Sequence, residues 1–380
     1  MIKLALGIVI IFLLSGCQST AKLKAPDGYY PKVFPNHSSS VQSPSFTCQN
    51  SLAPYTGPLQ FNSKYEGSGK ARDTLNKEAN HRYQTATKSI RQYEKTVIKV
   101  SDRLIHNDTR NADLHAQCLV RYLSEWAGEN ALLSSAANST GKAVRKWALS
   151  AIGSSYLKLK LYLAEQRNMP QSSFMKENSD KLAKTERWLE QLSGQVIKDY
   201  SDRPAEKQNN HDYWAAWSVM VTSVALNNQA HYQWSIEKME LGLRQINAAG
   251  FLPNELKRET RALSYHNFAI MPLMIMAVFA EVNGNPITPI LRQRLALLAD
   301  NVLSGISNPE TFVTLTGTEQ HQEGLRTSYA LAWLEPYAVL FAPSDQADIL
   351  LSELHPMRAT RLGGNLSDLF RPQANKYQTN

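Results

Sequence analysis

Nine residues, Asn209 to Trp217, read NNHDYWAAW and bring two amides, an imidazole, a phenol and two indoles together ahead of an apolar run. If Asn209 caps a helix there, Asn210, Trp214 and Trp217 recur at i, i+4 and i+7, with His211 at the edge of that stripe. A helix entry furnished in this way suits an acidic, polyhydroxylated ligand. A second stretch, Phe251 to Arg258, reads FLPNELKR; Asn254 is placed to cap a helix and Glu255 suits its first turn. Continued as one helix, it sets Arg258, Arg261, Tyr265 and Phe268 on one face. Arg258 and Tyr265 then lie about 10 Å apart along the axis.

Taken singly, each of these residues has a structural reading: an ion pair for Arg258, a satisfied core ring for Tyr265, a hydrogen-bonded helix end for His211. Taken together they suit one chemistry. Removing the proton next to a uronate carboxylate loads charge onto an existing anion, so the carboxylate must first be neutralised by donors such as Asn and Arg. The reaction also needs a base for that proton and an acid for the leaving oxygen, and a phenol beside a cation can be drawn toward phenolate. Glycoside hydrolysis would call for two opposed carboxyl groups, and the polar stripes of these segments carry none.

The elements that must position these groups are helical. Apolar residues recur at three- and four-residue spacing over 70–105, 112–134, 142–165, 180–200, 209–226, 230–247, 254–282, 288–304, 327–342 and 344–354. Strand signals are scarce, and short polar turns join the segments, so the fold class is all-α, a bundle or toroid. Pro272 should bend the helix that contains it. The glycine-bearing loop from Phe61 to Gly69 precedes the helices. The 380 residues suffice for a large core; 41 Lys and Arg against 33 Asp and Glu give a net charge of +8, which favours acidic partners. No basic block or nucleic-acid motif accompanies that charge, so nucleic acid is not expected as a partner.

Lys3 precedes an apolar run from Leu4 to Leu14, too short for a comfortable membrane span, and the run ends in Leu14-Ser15-Gly16-Cys17. That ending resembles a bacterial lipobox, which implies a signal peptide over 1–16, acylation of Cys17, and a periplasmic protein anchored to the outer membrane. Residues 17–60 read as a lipidated tether and extended lead-in, 61–370 as the folded domain and 371–380 as a tail. With Cys17 lipidated, Cys48 and Cys118 remain to form a disulfide outside the cytoplasm. No Cys/His spacing fits zinc.

The stretches Asn209–Ser218 and Gly250–Asn267 closely resemble the periplasmic alginate lyases, the poly(β-D-mannuronate) lyases. So do Ser63–Ser68, Thr140–Lys142, Arg145–Leu149, Ala332–Tyr337 and Arg361–Gly364, in order along the chain. The resemblance implies an incomplete α/α toroid with a deep cleft for a linear polyuronate. It also implies β-elimination of the 4-O-glycosidic bond of polymannuronate, leaving a 4,5-unsaturated uronate, with no metal or other cofactor and a monomeric enzyme. By the same resemblance Asn210, His211 and Arg258 neutralise the C5 carboxylate, and Tyr265 protonates the leaving oxygen. Tyr265 or His211 takes the C5 proton. Ser63, Lys64 and Tyr65 form a lid, Trp214 offers a face for sugar stacking, and Thr140 and Arg361 contact hydroxyl or carboxylate groups. Ser139 also falls among the substrate contacts, although relatives often carry His there, as they carry Tyr where Phe268 stands. The alternative is a non-catalytic polyuronate-binding envelope lipoprotein on the same scaffold.

Overall fold

Asn209 does cap a helix. Its side chain accepts from the His211 amide at 3.0 Å, and Asp212 Oδ2 accepts from the Asn209 amide at 2.9 Å, closing a reciprocal cap. The computed structural model describes residues 21–31, 48, 50–69, 71–105, 111–166 and 174–374, without the side chains of 166 and 371–374. The apolar run from Leu4 to Leu14 and Cys17 lie outside the described residues, as does 375–380 of the tail.

The main helices are α1 (Lys77–Ala86), α2 (Lys88–Asp102), α3 (Ala112–Gly128), α4 (Ser139–Gln166), α5 (Ser179–Ser201), α6 (Asn210–Leu226) and α7 (Gln229–Gln245). They continue as α8 (Ala262–Val282), α9 (Pro289–Ser307), α10 (Glu310–Thr316), α11 (Leu334–Leu340), α12 (Asp345–Glu353) and α13 (Leu366–Ala374). Two-residue strands, Arg358–Ala359 and Gly364–Asn365, pair antiparallel as the described sheet. At the centre, α6 packs against α4, α5, α7 and α8, while α2 and α3 flank α4 and α5. Both α6 and α8 are apolar nearly all round and buried along almost their whole length, as core helices must be.

Several expected helices are interrupted, each for a local reason. The 70–105 segment starts only at Lys77 and divides at Thr87, whose hydroxyl bonds back to the Tyr83 carbonyl at 2.8 Å. The 254–282 segment is not one helix either. Leu252, not Asn254, precedes a single turn at Pro253–Leu256; Glu259 then adopts a left-handed backbone (φ 48°), and a 3-10 turn follows before α8 begins. A small separate cluster of Phe251, Ala262, Leu263, Phe312 and Leu325 supports this break. Of 327–342 only Leu334–Leu340 is helical, and the Ala330 carbonyl before it accepts from the Asn267 amide at 2.9 Å.

Two glycines are needed where backbones cross. A Cβ at Gly141, in the first turn of α4, would fall 1.7 Å from the Leu59 carbonyl oxygen, where the lead-in segment runs alongside. Gly364 has φ 107°, and a Cβ there would meet Asp102 Oδ1 at 2.4 Å. The turn between the two short strands can therefore sit against α2 and present Arg361. Cys48 and Cys118 form a disulfide, Cα–Cα 5.5 Å, fastening the lead-in to α3.

Candidate active site

A cleft of about 960 Å³ opens where the 63–72 segment, the starts of α4 and α6, the 258–268 segment and the Arg361 turn meet. Its walls carry Lys64, Arg72, Arg91, Lys142, Arg203, Arg258, Arg261 and Arg361, against Asp199 and Glu323. Asp199 is already paired with Arg145, at 2.5 Å, and lies 3.6 Å from Lys142. The free field of the cleft is thus strongly positive, as a polyanion requires.

The capped start of α6 delivers Asn210 and His211 to this cleft. Asn210 is held from behind: Glu255 Oε1 accepts its backbone N–H at 2.7 Å and its Nδ2 at 2.9 Å. Glu255 is fully buried, and burial raises its pKa although Asn210 and Arg258 act in the opposite sense. The Arg258 Nε stands 3.8 Å from Glu255 Oε2, so one carboxylate steadies both groups.

His211 is neutral. Burial, then the charges of Lys146, Arg203, Arg258 and Arg72, hold its pKa well below the usual imidazole value. Its Nδ1 faces the Lys146 Nζ at 2.8 Å.

The break before α8 changes the expected relation of Arg258 to Tyr265. The guanidinium folds over the phenol ring, 4.8 Å from its centroid, and does not stand two turns away along one continuous face. Tyr265 in turn adjoins Tyr65, and each phenol shifts the other's pKa. Burial, then the adjoining Tyr65, raise the Tyr265 pKa, with Arg258 opposing. For Tyr65 burial is outweighed by Lys64, the Tyr265 hydroxyl and Arg261, and its pKa falls below the ordinary phenol value. Lys64 and Arg261 lie 5.0 and 5.5 Å from the Tyr65 ring.

The 63–76 segment is latched across the cleft. Arg261 Nε donates to the Asp73 carbonyl at 2.6 Å, Thr260 Oγ1 donates to Asp73 Oδ2 at 3.1 Å, and Arg258 reaches the Ala71 carbonyl at 3.4 Å. Ser63, Lys64, Tyr65, Ser139, Thr140 and Arg361 all line the cleft. Arg361 lies 4.3 Å over the Trp147 ring and 3.6 Å from Glu94; burial opposes its charge, but Glu94, Tyr329 and Tyr83 raise its pKa.

Trp214 is the correction. It is fully buried and absent from the cleft wall. Pro272 has no N–H to give the Phe268 carbonyl, and the Trp214 indole supplies that missing donor at 3.0 Å. Trp147 and Phe268 do line the cleft, beside the rings of Tyr65, Tyr83, Tyr200, Tyr265 and Tyr329. Sequence reasoning missed Trp147 as a wall residue, the anchoring role of Glu255, and Lys146. The adjacent Arg145 and Lys146 in an otherwise apolar helix were the available signal for the last.

A family model described as alginate lyase matches residues 60–312. An alginate lyase of Pseudomonas fluorescens is 38% identical over 371 residues, 98% of this chain and 96% of the relative. One of Cobetia marina is 38% identical over 94% of this chain and 92% of its own length, and one of Azotobacter vinelandii 39% identical over 97% and 96%. Among solved structures, alginate lyase A1-III from a Sphingomonas species superposes with a TM-score of 0.68 at 18% identity, over 91% of each chain. A variant of that enzyme complexed with a tetrasaccharide gives 0.69 at 17% identity, covering 91% of this chain and 90% of the other. The shared architecture is an α/α toroid. This chain belongs to the alginate lyase family and is a polysaccharide lyase.

Proposed function

We propose that the protein cleaves poly(β-D-mannuronate) by β-elimination, with Asn210, His211, Arg258 and Tyr265 acting on one sugar acid. The observation that carries this reading is the convergence of those four groups in a single cleft whose wall is cationic. Arg258, the Asn210 amide and the outward His211 Nε2 bind the C5 carboxylate, so that charge released at C5 flows into a neutralised group. Tyr265 takes the C5 proton. It does so once Tyr65, the more acidic partner of the pair, has lost its proton to solvent: Tyr265 passes its phenolic proton to the Tyr65 phenolate. The C5–H electrons form the C4–C5 double bond, the C4–O4 bond breaks, and Tyr265 delivers the proton to O4. Tyr65 then returns its proton. In mannuronate the C5 proton and O4 lie on the same face, which lets a single phenol serve both, and this supports the mannuronate preference.

Hydrolysis fits poorly, since Asp199 is committed to Arg145, which leaves Glu323 as the other carboxyl group on the cleft wall among the described residues. Purified protein should generate ultraviolet-absorbing unsaturated ends from polymannuronate faster than from polyguluronate. Saturable binding with no absorbance rise would instead identify a carbohydrate-binding protein.

We further propose that Cys17 is acylated and anchors the enzyme at the outer membrane, facing the periplasm, where it acts as a monomer. The Leu14–Cys17 sequence supports the anchor, and the Cys48–Cys118 disulfide supports an oxidising compartment. A Cys17→Ser variant should leave the membrane fraction; its retention there would refute the anchor. Sedimentation of the soluble form should give the mass of a single chain, and a dimer would overturn that part.

A further inference from the structure

Behind the cleft, in the N-terminal third of α4, Lys146 is fully buried and no carboxylate stands within ion-pair distance of it among the described residues. Its Nζ instead meets three groups: His211 Nδ1 at 2.8 Å, the His211 carbonyl at 2.8 Å and the Tyr200 hydroxyl at 3.1 Å. An ammonium has three hydrogens and no acceptor, so these three partners can satisfy it completely. The rings of Tyr200 and Trp147, 4.6 and 5.4 Å from Nζ, add two aromatic faces that favour a cation.

We infer that Lys146 is a positioning residue that keeps His211 in the tautomer with Nδ1 bare and Nε2 protonated, so that the imidazole meets substrate as a fixed donor and cannot serve as the C5 base. This rests on the lyase reading for its consequence but not for its geometry. A proton on Nδ1 would collide with the ammonium, leaving Nε2 as the nitrogen offered to the cleft that His211 lines. Each surrounding element contributes to the same balance. His211 is faced by Lys146 from α4, Arg203 from the turn before α6, Arg258 from the segment before α8 and Arg72 from the 63–76 segment. All four are cationic and disfavour an imidazolium. Lys146 itself loses basicity by burial and regains some from Asp212, while Arg203 and Arg361 act against it. Bound uronate would add negative charge to this cationic surround and so favour the ammonium further. The division of labour follows: His211 neutralises, and Tyr265 with Tyr65 moves the protons.

The test is nitrogen-15 NMR of the His211 ring in the folded, substrate-free protein, with the signals assigned by their loss in His211→Ala. The expected spectrum has Nδ1 unprotonated and Nε2 protonated, unchanged from about pH 5.5 to 8. In Lys146→Met the ring should begin to titrate at higher pH than in the wild type, and its tautomers should mix. On polymannuronate, kcat/KM of that variant should fall on the order of 10²-fold and acquire an acid limb, with Lys146→Arg recovering part of the loss. A wild-type spectrum with the proton on Nδ1 would overturn the inference, as would an unchanged ring in folded Lys146→Met. If that variant does not fold, the wild-type tautomer alone decides. Because the spectrum is recorded without substrate, it stands apart from whether polymannuronate is cleaved.

Discussion

The Glu255 carboxylate accepts two hydrogen bonds from Asn210 through a single oxygen, joining the start of α6 to the turn that carries Arg258. Two cleft-lining groups from remote parts of the chain are thereby fixed relative to each other by a residue that does not line the cleft. Buried carboxylates are costly to ionise, and this one is retained where it orients an amide and a guanidinium.

Replacing Glu255 should therefore cost activity through geometry. Glu255→Ala is expected to lower kcat/KM on the order of 10²-fold, comparable to losing a carboxylate donor outright. Glu255→Gln, whose amide oxygen can still accept from Asn210, should lose less. Steady-state kinetics on polymannuronate, with circular dichroism as a folding control, check this; equal losses in the two variants would argue against the role.

The tyrosine pair makes a different prediction. Tyr265→Phe should reduce kcat by about 10²- to 10⁴-fold while leaving oligosaccharide binding in place. Tyr65→Phe should retain some turnover but shift the rising limb of the pH–rate profile to higher pH. In the wild type the first proton leaves a pair of which Tyr65 has a lowered pKa; in the variant it must leave Tyr265, whose pKa burial has raised. An unmoved limb would separate Tyr65 from the proton transfer.

Trp214→Phe removes the donor that satisfies the Phe268 carbonyl in α8. Stability should fall by about 1–3 kcal/mol, the cost of an unpaired buried polar group. KM for polymannuronate should stay unchanged in the fraction that folds. A large rise in KM would restore the stacking role that burial denies this indole.

His266 sets an acid limit on stability. It is fully buried, accepts from the Leu252 amide through Nε2 at 2.9 Å, and has Nδ1 against the Ala262 carbonyl at 2.8 Å. Burial lowers its pKa to about 4 from 6.5. A histidine that resists protonation in the folded state stabilises fully above its unfolded pKa and loses that contribution as pH falls. Between about pH 6.5 and 4 the loss should approach roughly 3 kcal/mol, measured by urea unfolding across that range. His266→Gln should be less stable at neutral pH but show a shallower acid dependence.

What the sequence made legible was chemistry carried by local pattern. The NNH cap could be read because a reciprocal Asn–Asp cap spans only four residues, and Asn210 and His211 follow directly from it. The grouping of Arg258 with Tyr265 was legible as proximity, but not the stacking, which depends on the left-handed Glu259. No periodicity announces such a break when the residues on both sides favour a helix. Trp214 was misassigned because its partner carbonyl is orphaned by Pro272 on another helix. Lys146 was hidden for a similar reason: its partners come from α5 and α6, and a cation inside an apolar run reveals nothing of what it meets.

The most direct test takes wild type and Tyr265→Phe through the same assay, a tetramer of mannuronate followed simultaneously by ultraviolet absorbance and by mass. Wild type should yield fragments bearing 4,5-unsaturated uronate ends. The variant should bind the tetramer and return it intact. Saturated products from wild type, or sustained turnover by the folded variant, would contradict elimination by Tyr265.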